Sequence, residues 1–98
     1  MNKQQIIAIL TKEKAQLEQH YSVAKLGLFG SYMKGKENPS SDIDIAFELK
    51  TGAYLGYEEN IQLKKFLEGK FNKTVDLVRL KYMNPAIKVQ VDQEVFYV

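Results

Sequence analysis

The sequence predicts an α/β (α+β) fold in which a small mixed β-sheet carries helices packed mainly on one face. Three observations lead there. Apolar residues recur at helical spacing near the start and again over residues 57–71, short runs of strand length separate those segments, and Gly, Asn, Pro and Ser gather where one pattern gives way to the next. The resulting order is helix, strand, strand, helix, strand, helix, strand, as expected of a sheet covered mainly on one side.

From Lys3 to about Gln19, Ile6, Ile7, Leu10 and Leu17 form the apolar stripe of a helix, with Lys12, Glu13 and Gln16 for its wet side. His20 and Tyr21 mark its end; a lone His there reads as a surface residue, and without a second His there is no zinc site to build. Val23 to Phe29 is apolar enough for a central strand, with Lys25 bringing one end to solvent. After Gly30-Ser31, Tyr32 to Lys34 fit one or two helical turns that start at Ser31 and stop at Gly35, and Asn38-Pro39-Ser40-Ser41 is a turn. Asp42 to Leu49 then alternates: Ile43, Ile45, Phe47 and Leu49 face a core, and Asp42, Asp44, Ala46 and Glu48 face the other way.

Lys50 to Gly56 is a loop. Tyr57 to Phe71 is a second amphipathic helix, with Ile61, Leu63, Phe66, Leu67 and Phe71 on one side and Glu58, Glu59, Lys64, Lys65 and Glu68 on the other. Asn72-Lys73 turns the chain into a strand over Thr74 to Leu80. Asn84 as N-cap and Pro85 at the first helical position open a short helix that runs to about Asp92. Glu94 to Val98 closes the chain as a strand whose aromatic edge is a candidate for pairing between copies, a possible homo-oligomer.

With 98 residues, 45% of them hydrophobic and 27% charged, the chain is expected to be a single domain, 1–98, without room for a second folded unit. The net charge is only +2 and the lysines are scattered, so no direct binding to nucleic acid is expected. The absence of cysteine excludes a disulfide framework and a thiolate metal site and suits a reducing compartment. The apolar run near the start is too short for a signal peptide and no run reaches membrane-spanning length, which predicts a cytoplasmic protein with no membrane partner.

The chemistry concentrates between Leu26 and Leu49. Asp42 and Asp44 stand on one face of a strand, and two carboxylates so placed repel each other unless a divalent cation or a raised pKa resolves the repulsion. Alone, the pair reads more simply as a turn cap and a charged surface position. Gly30-Ser31 shifts the balance, because a turn at the end of the neighbouring strand offers free N–H groups to a phosphate. Asp76, between Val75 and Leu77, has a plain reading as a solvated strand residue paired with a lysine. Its functional reading is a third carboxylate on the same face, completing a site for one or two Mg²⁺ ions.

Gly30-Ser31, a gap, Ser41-Asp42-Ile43-Asp44-Ile45, and Asp76 in a later strand together resemble the nucleotidyltransferase fold of the DNA polymerase beta superfamily. More narrowly, length and element order look like the minimal nucleotidyltransferases of bacteria and archaea, over nearly the whole chain. The resemblance implies that Asp42, Asp44 and Asp76 hold Mg²⁺, that Asp76 also acts as base toward an attacking hydroxyl, and that Gly30 and Ser31 hold the triphosphate of ATP or another NTP. Where the family usually has Ala-Arg-Gly, this chain has Met33-Lys34-Gly35; Lys34 keeps the charge for phosphate but loses the bidentate fork of Arg.

The family also implies a role. Its members act as antitoxins that transfer AMP from ATP to a tyrosine of a HEPN-domain toxin, and such a partner would here be a separate chain. Two alternatives stand beside this. A purely binding antitoxin has no need of three carboxylates, and transfer to a small molecule such as an aminoglycoside is done by related enzymes with an extra acceptor domain.

Overall fold

The structure, a computed structural model, describes all residues from Met1 to Val98. The elements are α1 (Lys3–Tyr21), β1 (Val23–Phe29), α2 (Gly30–Lys34), β2 (Ile43–Leu49), α3 (Tyr57–Phe71), β3 (Val75–Arg79), a 3₁₀ turn (Leu80–Tyr82), α4 (Pro85–Glu94) and β4 (Phe96–Tyr97). The predicted mixed α/β architecture is the one observed. Local chemistry explains most boundaries. Asn2 accepts from the Gln5 N–H at 2.9 Å while the Gln5 side chain accepts from the Asn2 N–H at 2.8 Å, a reciprocal cap that starts α1. Gly35 ends α2 in the left-handed region, and Asn84 caps α4 through the Ala86 N–H at 2.9 Å, with Pro85 at the first helical position.

The four strands lie in the order β3-β2-β1-β4, with β1 antiparallel to both β2 and β4 and β2 parallel to β3. A parallel pair needs a crossover, and α3 supplies it. The register sets Phe29 opposite Asp44 across β1–β2 and Asp44 opposite Asp76 across β2–β3. At the far end of the same strands the Arg79 guanidinium meets Glu48 at 2.8 Å. Burial pushes the Glu48 carboxyl up, but the Arg79 contact and the Leu49 N–H outweigh it and hold the group below its ordinary range.

The core lies between the sheet and the helix pair α1 and α3. Ile6, Leu10 and Leu17 of α1 and Leu63, Leu67 and Phe71 of α3 are buried with Leu26, Leu28, Ile43, Ile45, Phe47, Leu49 and Val75 of the strands. Three positions depart from the expected pattern. Glu13, assigned to the wet side, is buried at 7% exposure, because it lies on the same helical stripe as Ile6, Leu10 and Leu17; it meets Lys70 of α3 at 3.6 Å. Ile61 is 37% exposed, and the buried stripe of α3 is the narrower Leu63, Leu67 and Phe71. Ala46 is fully buried although it shares a face with Asp44. That second face is therefore covered beyond the aspartates, and the segment after β3 contributes Leu80 and Val91, two buried residues outside the main core.

Gly27 shows how closely the end of the chain lies against β1. A Cβ placed there would fall 2.7 Å from the Val95 side chain and 2.9 Å from the Phe96 carbonyl oxygen, too close for either to stay. Gly27→Ala is therefore expected to push β4 off the sheet and destabilise the protein by about 1–3 kcal/mol, the range for overpacking. Denaturant unfolding gives the energy, and faster hydrogen exchange at the Val98 amide, which donates to the Leu26 carbonyl at 2.9 Å, reports the lost strand.

Candidate active site

The β1–β2 pairing brings the end of β1 beside the start of β2, so Gly30, one residue past Phe29, lands against Asp44. Gly30 has φ of +76°, and a Cβ there would run into the Asp44 carboxylate. Both facts call for glycine. Parallel pairing places Asp76 directly across from Asp44, and Asp42 stands just ahead of β2. The structure thus brings Asp42, Asp44 and Asp76 to one end of the central strand pair, beside the Gly30-Ser31 turn. None of the three takes part in an ion pair, which removes the plain reading of Asp76 as a lysine-paired surface residue.

Asp44 is half-buried, whereas Asp42 and Asp76 are exposed. Burial, and then the facing Asp76 carboxyl, raise the Asp44 pKa from 3.8 to about 6, with smaller contributions from Asp42 and Glu94. The two carboxyls face each other across the β2–β3 pair, and neither has a salt-bridged cation to offset its charge.

Glu94 was not among the residues expected at this site. It reads from sequence as the first residue of the last strand, but the structure makes it the last residue of α4 and turns it toward the Gly30-Ser31 turn. The Gly30 N–H donates to Glu94 Oε1 at 3.2 Å, and Lys34 Nζ lies 2.9 Å from Glu94 Oε2. Two of the three groups expected to contact phosphate, Gly30 and Lys34, are therefore already engaged by a carboxylate. The available signal was spacing: Glu94 follows the buried Val91 by three residues and so shares its helical face.

The donor set is all oxygen, the kind a hard divalent cation takes with substrate phosphates and water completing its shell. The unrelieved repulsion around Asp44 fits such a cation. The side chains alone do not form a cage, since no three His, Cys, Asp or Glu groups converge on an ion-sized point. Hollows of about 330, 280 and 490 Å³ lie elsewhere on the surface, and none is lined by an aspartate. The carboxylates stand on an open rim where a phosphate chain can approach.

Fold and site together define a nucleotidyltransferase. The chain belongs to the polymerase beta nucleotidyltransferase family, whose sequence profile matches residues 4–97. A protein adenylyltransferase, MntA, of Thermococcus cleftensis is 34% identical over 95 residues, covering 97% of this chain and 94% of its own. A protein of Methanocaldococcus jannaschii is 36% identical over 95 residues, covering 96% of this chain and 95% of its own. Among solved structures, a chain of a toxin–antitoxin pair crystallised with AMP-PNP superposes with a TM-score of 0.71 at 26% identity, over 88% of this chain and 69% of that one. The complex of a tri-AMPylated HEPN toxin with its MNT antitoxin from Shewanella oneidensis gives 0.65 at 23% identity, over 92% and 69%, a likeness of fold.

The raised Asp44 pKa sets a pH dependence. A carboxyl that holds its proton more tightly when folded than when unfolded stabilises the fold below 3.8 and loses that contribution as pH rises through about 6. Without divalent cation, unfolding free energy should fall over this window by roughly 1–2 kcal/mol after discount for the solvent screening of a half-exposed carboxyl. Asp44→Asn should flatten the slope, and added magnesium should restore stability at neutral pH in the unsubstituted protein only; chemical denaturation across pH measures both.

Proposed function

We propose that this chain transfers AMP from ATP to a hydroxyl group on a separate HEPN-domain protein, and thereby acts as the antitoxin of a two-protein module in the cytoplasm. The observation that carries this reading is the register that sets Asp44 against Asp76 with Gly30 packed on the same carboxylate. The names of the relatives support the acceptor class, since a 34% identical one is a protein adenylyltransferase and a similar fold is found in an AMPylated HEPN toxin complex.

In this reading Asp42, Asp44 and Asp76 hold Mg²⁺, which supplies charge neutralisation along the triphosphate and at the leaving pyrophosphate. Ser31 and the Gly30 N–H orient the phosphate chain so that the α-phosphorus faces the open rim. The acceptor hydroxyl gives its proton to the Asp76 carboxylate as its oxygen bonds to the α-phosphorus. The bond from that phosphorus to the β-phosphate bridging oxygen breaks, and pyrophosphate leaves with the electron pair. A rim open to solvent suits an acceptor presented by another folded protein.

The test is transfer of label from α-labelled ATP, with magnesium, to the product of the neighbouring gene, which this reading expects to carry a HEPN domain. Asp44→Asn should lower the rate at least about a hundredfold while leaving the fold intact by circular dichroism. Neutralisation of the partner equally by both forms without label on it would establish a binding-only antitoxin, and label on an aminoglycoside alone would establish small-molecule transfer.

A further inference from the structure

Glu94 makes contacts to the phosphate-binding turn of the kind a phosphate would make. One of its oxygens accepts from the Gly30 N–H at 3.2 Å and the other lies 2.9 Å from the Lys34 ammonium, a two-point grip on one carboxylate. Its side chain is only 17% exposed, against 42% for Lys34, so the carboxylate is the inner partner of the pair. It is also held there. The same terminal segment is fixed to the sheet by β4, by the Val98 N–H to the Leu26 carbonyl at 2.9 Å, and by Lys14 Nζ to the Val98 carbonyl at 2.7 Å. An N–H and an ammonium that converge on a carboxylate recognise a phosphate oxygen by the same charge-assisted hydrogen bonds.

We propose that Glu94 is an internal anion that occupies the phosphate subsite of the nucleotide-free protein, so that an incoming polyphosphate must displace it. Glu94 then has two effects. It keeps Gly30 in its left-handed conformation when no phosphate is present, and it sets the affinity for nucleotide through competition and like-charge repulsion. It is a positioning residue and touches neither the acceptor nor the bond that breaks. The proposal rests on the nucleotide-binding reading above and adds to it the group that gates the subsite.

Calorimetric titration of the full chain with ATP and magnesium, inorganic tripolyphosphate and adenosine tests this. Glu94→Gln keeps the shape and removes the charge; it should bind ATP and tripolyphosphate about tenfold more tightly, the change expected when a competing charge-assisted contact is lost. Adenosine binding should not change. Glu94→Ala should move in the same direction, with thermal melting as the check on folding. In the unsubstituted protein, the Gly30 amide and the Glu94 carboxyl carbon should shift together in NMR spectra as tripolyphosphate is added. Equal or weaker phosphate binding by both variants, or a Gly30 shift with Glu94 unmoved, overturns the role of Glu94 alone. Absence of ATP binding in the unsubstituted chain and both variants overturns the nucleotide reading as well.

Discussion

The parallel pairing of β2 with β3 is the constraint on which the site depends. It sets two aspartates across from each other on neighbouring strands, and such a like-charge pair is destabilising unless something compensates it. The rest of the sheet makes the arrangement obligatory. A slip of one residue would turn Ile43, Ile45 and Phe47 out of the core, so the burial of those side chains fixes where Asp44 points. The Glu48–Arg79 contact supports the same register from the opposite end. The hydrophobic core thus enforces an electrostatic conflict that the fold does not itself relieve.

The antiparallel neighbour adds the second half. Because Phe29 pairs with Asp44, the turn that leaves β1 must pass against the aspartate, and only a residue without a Cβ fits. The same glycine donates its N–H to the Glu94 carboxylate. The carboxylates and the Gly30-Ser31 turn are adjacent because two strands are adjacent, and no long loop has to carry either. Asp44 and Asp76 sit on paired strands and Gly30 one residue beyond a third, beside an open rim.

Packing at the end of the chain completes this arrangement. Gly27 lets Val95 and Phe96 lie close on β1, and that approach delivers Glu94, the residue before Val95, to the Gly30 turn. A residue distant in sequence thereby enters the electrostatic balance of Asp44. Family membership accords with this economy: the profile match runs over residues 4–97, so the final residues belong to the common fold along with the motif-bearing strands.

Much of this was written in local pattern. Alternation in β2, the helical stripe of α3, the Asn84-Pro85 start and the Gly30-Ser31 and Asp42-x-Asp44 spacings are properties of neighbouring residues, and local sterics and burial suffice to fix them. Other features were decided only by the assembled structure. Glu13 entered the interior with the α1 stripe that packs into the core, Ala46 is fully buried on the face it shares with Asp44, and Glu94 became a site residue because α4 ran two residues past its expected end near Asp92. The pairing of Asp44 with Asp76 belongs to the same class. Sequence named both aspartates, but their facing each other, and the charge conflict that raises Asp44, arise from contacts between segments about thirty residues apart, which local propensity does not encode.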